Sequence, residues 1–260
     1  MRNQTIIALA STLLLYVVPA RAQVTRFSPT LRPGQHLSIS TIDGDVTVSR
    51  GDGRTAEIVA TKIVRKGDGT RVKAVMESTD DGYRVCTIYL HRGEPDRDTC
   101  ASRSRNDWNG SDNFDVDISY VVTLPAGALL AVHTVDGNID VRGTDTAPSL
   151  HTVDGSITYS GVAPATLNTV SGDIHATITS GDWAADATMR TVDGSIDVSL
   201  PAGIALTVKG STVDGDFSSD FPLTVRGKWG PRSIEGSIGS GGTRTLRLGS
   251  VDGDIALHRR

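Results

Sequence analysis

The chain has 260 residues with 26 basic and 30 acidic side chains, a formal net charge of −4 that offers no basic field for a nucleic acid. Only 5% of the residues are aromatic and 28 are glycine, so a thick globular core is excluded and a thin, stacked fold is favoured.

The first 22 residues read as a signal peptide: Arg2 supplies the positive start, Ile6 to Val18 the apolar run, and Ala20-Arg21-Ala22 the small-residue cleavage site before Gln23. A run of about 13 residues is short of the roughly 20 needed to span a bilayer. No Cys follows the cleavage site, which argues against a lipid anchor, and the mature chain holds no stretch able to span a membrane. Cleavage would remove Arg2 and Arg21 and no acid, moving the formal charge to −6. The expectation is an exported protein, in the periplasm or at the cell surface or beyond it, with residues 23–260 as a single domain.

Residues 23–30 read as a short leader. Residues 31–48 open with Leu31-Arg32-Pro33-Gly34, alternate Leu37 and Ile39, and end in the phrase Thr41-Ile42-Asp43-Gly44-Asp45-Val46. That phrase returns seven times, always as Ser or Thr, then Val or Ile, then usually Asp, then Gly, a small polar residue and an apolar one. Its β-branched residues bracket an Asp-Gly turn signal, which predicts strand, corner, strand.

An irregular middle segment, 49–123, separates the first phrase from the rest. Strand-like runs cover Ala56 to Val64, Val72 to Ser78, Tyr83 to Leu90 and Phe114 to Leu124, the last alternating cleanly. Gly67-Asp68-Gly69 and Asp80-Asp81-Gly82 are turns short enough for antiparallel hairpins, so this segment reads as a meander beside the repeat. A polar insertion, His91 to Asn113, carries Glu94, Asp96, Asp98, Asp107 and Asp112. In an exported chain, a disulfide between Cys86 and Cys100 is expected to tie the third run to this insertion.

Residues 124–260 form the regular array. The remaining phrases centre on Asp136-Gly137, Asp154-Gly155, Ser171-Gly172, Asp193-Gly194, Asp214-Gly215, Glu235-Gly236 and Asp252-Gly253, with glycine intervals of 18, 17, 22, 21, 21 and 17 residues. Such a period is one coil of a solenoid. Lead-ins Leu124-Pro125-Ala126-Gly127 and Leu200-Pro201-Ala202-Gly203 repeat the one at Leu31. Stacking coils about 4.8 Å apart would bury columns of Val and Ile and pair their backbones, so the predicted fold is all-β, a right-handed parallel β-helix or β-solenoid with coils of 17–22 residues.

The stacked Asp column, Asp43, Asp136, Asp154, Asp193, Asp214 and Asp252, is the sharpest chemical feature, because carboxylates about 5 Å apart repel by roughly 1 kcal/mol each even in water. Two readings are open: structural Asx-turns in which each carboxylate accepts a backbone N–H of its own corner, or a row of weak Ca²⁺ sites. His133 and His151 share a register and could meet on one face, but two ligands make a poor metal site. Catalysis needs an asymmetric constellation, whereas these carboxylates repeat equivalently in every coil. There is no nucleophile elbow, phosphate loop or Cys-His pairing. No catalytic, metal or cofactor residue is therefore assigned, and the corner residues are read as structural.

The Thr-Val-Asp-Gly-Ser/Asp-Ile phrases, the Leu-Pro-Ala-Gly lead-ins and the signal peptide together resemble the bacterial "putative-adhesin" domain family over residues 31–258. The resemblance implies a β-solenoid on an exported protein; together with the symmetry of the array, it leads to the expectation of a non-enzymatic structural or adhesin-like binding module. Its partner would be an envelope, cell-surface or polysaccharide component. A β-helix enzyme or binding protein acting on polysaccharide is the alternative.

Overall fold

The computed structural model describes residues 22–90, 99–100, 115–226 and 232–260. The predicted signal peptide up to Arg21, and the insertion with Glu94, Asp96, Asp98, Asp107 and Asp112, lie outside the described residues. Apart from one 3-10 turn, Gly69–Arg71, the described elements are strands, in two sheets of ten and eleven facing each other across one core.

A coil is two strands and a corner. Leu129–His133 lies in the eleven-stranded sheet, Thr134 to Asn138 turn the corner, and Ile139–Thr144 lies in the ten-stranded sheet. The next coil repeats this in parallel and in register, Ile157 level with Ile139 and Leu150 level with Val132. Alternation puts every second side chain inward, so Val46, Ile139, Ile157, Ile174, Ile196 and Ile255 form one buried column. Burying each contributes about 1.5–3 kcal/mol against the conformational entropy of ordering a narrow coil.

Seven corners stack, in the spatial order Gly44, Gly137, Gly155, Gly172, Gly194, Gly253, Gly215, which departs from chain order at the end. The chain lays down Leu206–Thr212 and Phe217–Ser219 one level further out, then returns with Thr245–Gly249 and Ile255–Arg259 in the level between. Leu246 is consequently level with both Ala187 and Val208, and Ile255 with both Ile196 and Phe217.

The eighth phrase, around Glu235-Gly236, is not a corner. Arg232–Ile238 is one continuous strand antiparallel to Leu206–Thr212, with Glu235 opposite Lys209 and Gly236 opposite Val208. Gly236 does not take the positive φ of the seven corner glycines. A corner needs an incoming strand, and the sequence immediately before this phrase, Gly230-Pro231, is of residue types that disfavour one.

The middle segment is a meander divided between the two sheets. Glu57–Lys66 pairs antiparallel with Asp115–Pro125, which runs parallel to the first coil's Val46–Gly51. Val72–Thr79 and Gly82–Tyr89 form the expected hairpin at Asp80-Asp81 and extend the other sheet beside His36–Ser40. Gly67-Asp68-Gly69, by contrast, begins a crossover between sheets, with Asp68 Oδ1 accepting the Thr70 N–H at 3.0 Å. The expected leader is an edge strand, Gln23–Phe27, antiparallel to Glu57–Lys66. Cys86 and Cys100 are joined as a disulfide, their Cα atoms 5.8 Å apart. Cys100 packs on a second apolar cluster, Val75, Cys86, Ile88 and Leu90, on the hairpin face turned away from the main core.

Candidate functional site

The corners carry the most regular chemistry in the molecule. Each of the seven corner phrases turns its Thr or Ser inward and its Val or Ile outward, with the following Asp or Ser171 on the outer side, and its glycine closes against the neighbouring level of the stack. Gly155 and Gly172 show why glycine is required: φ is +149° and +145°, and a Cβ on either would overlap the carbonyl oxygen of the preceding corner glycine.

Two ladders of side-chain hydrogen bonds add to the backbone pairing of the stack. In the first, Thr152, Thr169 and Thr191 donate their hydroxyls to the carbonyls of Gly137, Gly155 and Gly172 at 3.0, 2.9 and 3.0 Å. Ser250 and Thr212 repeat the bond to Gly194 and Gly253, both at 2.9 Å. At the first coil Thr41 instead meets Thr87, which meets Tyr120, while the buried Thr134 hydroxyl has no partner among the described residues. In the second ladder the residue after each glycine caps a neighbouring backbone. Asp45 accepts from Asn138 N–H at 2.8 Å, Asn138 from Ser156 at 2.9 Å, Ser156 from Asp173 at 3.1 Å and Asp173 from Ser195 at 2.8 Å.

These ladders replace the Asx-turns expected of the Asp column. Among the described residues, none of Asp43, Asp136, Asp154, Asp193, Asp214 and Asp252 accepts a backbone N–H of its own corner. All but the half-buried Asp43 stand exposed. The apolar residue before each of these six, and before Ser171, expected in the buried column, is exposed as well: Ile42, Val135, Val153, Val170, Val192, Val251 and Val213 are 44–50% accessible. The sequence signal for the ladders was present in the invariant hydroxyl two places before the Asp slot and the Asp, Asn or Ser after the glycine, all hydrogen-bonding side chains.

At the first coil the column meets Asp117, and Asp43, Asp117, Asp136 and Asp154 line a shallow groove of about 350 Å³ with Ser119 and Asn138. Burial, then the neighbouring Asp117 and Asp136, push the Asp43 carboxyl up from 3.8 to about 6, against the opposing pull of Arg65. Arg65 itself ion-pairs with Asp117 and, at 3.3 Å, with Asp115.

On the other flank His133 and His151 do meet, their rings parallel within 4° and 4.9 Å apart. Burial lowers the pKa of both, and His151 is lowered further by His133. Asn168 Nδ2 approaches His151 Nδ1 at 3.4 Å and Ser149 Oγ lies 2.9 Å from Nε2, so polar neighbours occupy the ring nitrogens. His175 and His258 sit across the sheet beside Asp197. Among the described residues no group of three or more His, Cys, Asp or Glu is placed to hold a metal ion, and no helix is long and apolar enough to cross a membrane.

The fold is similar to that of a "putative cell adhesion protein" from Clostridium sporogenes, at 10% identity and TM-score 0.49 over 92% of this chain and 100% of that one. A "putative adhesin" from Bacteroides fragilis aligns at 11% identity and TM-score 0.34, covering 90% of this chain and 97% of that one. One from Parabacteroides distasonis aligns at 10% identity and TM-score 0.24, with the same coverage. No curated protein matches the chain. The family model described as Toastrack DUF4097 matches residues 33–258, nearly the whole of the two-sheet stack, and the chain belongs to that family.

Proposed function

We propose that this protein is exported and acts as a non-enzymatic binding module, presenting repeated strand faces to an envelope or cell-surface partner. The observation that carries the reading is the register of the outward positions. Thr47, Asp140, Thr158, His175 and Asp197 stand level in successive coils of one sheet, and Ser40, His133, His151, Asn168 and Arg190 in the other. A ligand there meets a ladder, which suits many weak contacts and avidity. The adhesin descriptions of the structural neighbours agree with this reading without carrying it.

Two measurements test it together. Purified protein incubated with isolated envelope fractions, intact cells and a polysaccharide panel is expected to be retained by an envelope or surface component and to release no product. Protease shaving of intact cells separates surface exposure from periplasmic residence. Product release from a polysaccharide, abolished by substituting one acidic residue of the 91–113 insertion, would replace this function with an enzymatic one. Failure to bind any of these components would reduce the module to a purely structural role.

A further inference from the structure

The seven exposed residues Ile42, Val135, Val153, Val170, Val192, Val251 and Val213 are consecutive in space and form one apolar ridge along the corners. Six coil steps give it a length of about 29 Å. Single exposed valines are ordinary, but a contiguous apolar line marks a surface that another surface covers. The ridge has two unlike flanks. On one side runs the Asp column; on the other, three residues earlier in each phrase, run His133, His151, Asn168 and Arg190. At three of the seven coils a basic residue type faces the acid across the ridge, His133 with Asp136, His151 with Asp154 and Arg190 with Asp193, while Ser40, Ser211 and Gly249 hold that place beside Asp43, Asp214 and Asp252. At the one coil where Ser171 replaces the acid, the residue across the ridge is the uncharged Asn168. Within one molecule the valine stands between them, and no ion pair joins them among the described residues.

We propose that the ridge is covered by a second copy of this chain, the two running in the same direction about a two-fold axis parallel to the ridge. The repeat distance is the first reason, since a ladder with one β-coil spacing is matched step for step by another of the same spacing. Charge fixes the direction. A two-fold axis perpendicular to the ridge would lay one Asp column against the other, a like-charge arrangement that penalises association. An axis parallel to the ridge instead sets Asp193 against the partner's Arg190, an opposite-charge pair that occurs twice, and sets Asp136 and Asp154 against the imidazoles of the partner's His133 and the partner's His151 in place of like charges. The ridge offers on the order of 500 Å² per copy, so the pair sits at the lower limit for a specific interface and is a weak, concentration-dependent dimer.

Self-pairing is independent of the envelope binding proposed above and is measured without any envelope component. Sedimentation velocity of the purified protein from about 1 µM to about 500 µM is expected to show a monomer passing to a dimer. Val153→Lys with Val170→Lys, both at exposed positions, should weaken the dimer at least about tenfold while leaving the melting temperature nearly unchanged. Arg190→Glu and Asp193→Arg should each weaken it about tenfold. Their equimolar mixture should recover the wild-type association, because only the mixed pair restores opposite charges at both contacts. A monomer at every concentration, including one whose ridge retains polylysine instead, would overturn the proposal. So would a dimer indifferent to the two lysines, or a mixture no tighter than the separate variants.

Discussion

At the level of single residues the corner phrase divides its labour differently from its appearance in sequence. Asp is the most conspicuous residue in it, yet the buried hydroxyl before it and the short polar side chain after the glycine carry the side-chain hydrogen bonds between coils. The acids are left to solvent, where their mutual repulsion is weak, except at Asp43. There, partial burial beside Asp117 and Asp136 holds the carboxyl protonated up to about pH 6. A carboxyl whose folded pKa exceeds its unfolded value contributes stability below about pH 4 and loses it as pH rises through about 6. Asp43→Asn keeps the shape and removes the ionisation. Its melting temperature is therefore expected to exceed the wild type's at pH 7.5 and to show no advantage at pH 4. Thermal unfolding across that range checks this, and a difference independent of pH would show that Asp43 carries no such cost.

At the level of elements, strands were legible because inward alternation is a local property, and the four middle runs lie within two residues of the observed strands. Which strands become neighbours was less legible. Gly236 satisfies the same phrase as Gly155, but one closes a corner and the other lies mid-strand, and the deciding information is the interrupted sequence before Ser233. Ile42 and the ridge valines illustrate the same limit, since β-branched residues suit a corner whichever way they point. The two glycines should respond very differently to alanine. At Gly155 the added Cβ meets a backbone carbonyl fixed by coils on both sides, at positive φ, and the cost should be about 3 kcal/mol or more. At Gly236 it meets the Leu223 side chain at 2.9 Å, which can turn aside, and the cost should stay within about 1 kcal/mol. Urea unfolding of the two variants decides it; equal losses would remove the distinction between corner and strand.

At the level of the whole molecule the stack is nearly one-dimensional, with each coil's stability set by its own strands and its two neighbours. The out-of-order last coil alters that arithmetic, because Thr245–Gly249 and Ile255–Arg259 separate the Gly194 coil from the Gly215 coil and pair with both. No local pattern announces this, since the last phrase fits the same pattern of residue types as the other corners and its interval of 17 residues also occurs between Gly155 and Gly172. The outer coil also carries the compensation that fits it to an end position. Phe217 occupies the place of the usual Ile, and Gly210 leaves the room its ring needs, for a Cβ there would lie 3.0 Å from Phe217 Cε2. The outer level is laid down before the level that supports it, and long-range closure of this kind is slow because loop entropy is lost before contacts form. Ending the chain at Gly242 should therefore leave Leu206–Thr212 and Phe217–Ser219 without their inner neighbour. Hydrogen exchange by mass spectrometry is expected to show these two strands losing protection, Ala187–Arg190 and Ile196–Leu200 losing part of theirs, and Leu129–His133 through Ile174–Ile178 keeping it. Uniform loss along every coil would mean that the stack unfolds as one unit, with the last coil supporting it throughout and not only at its end.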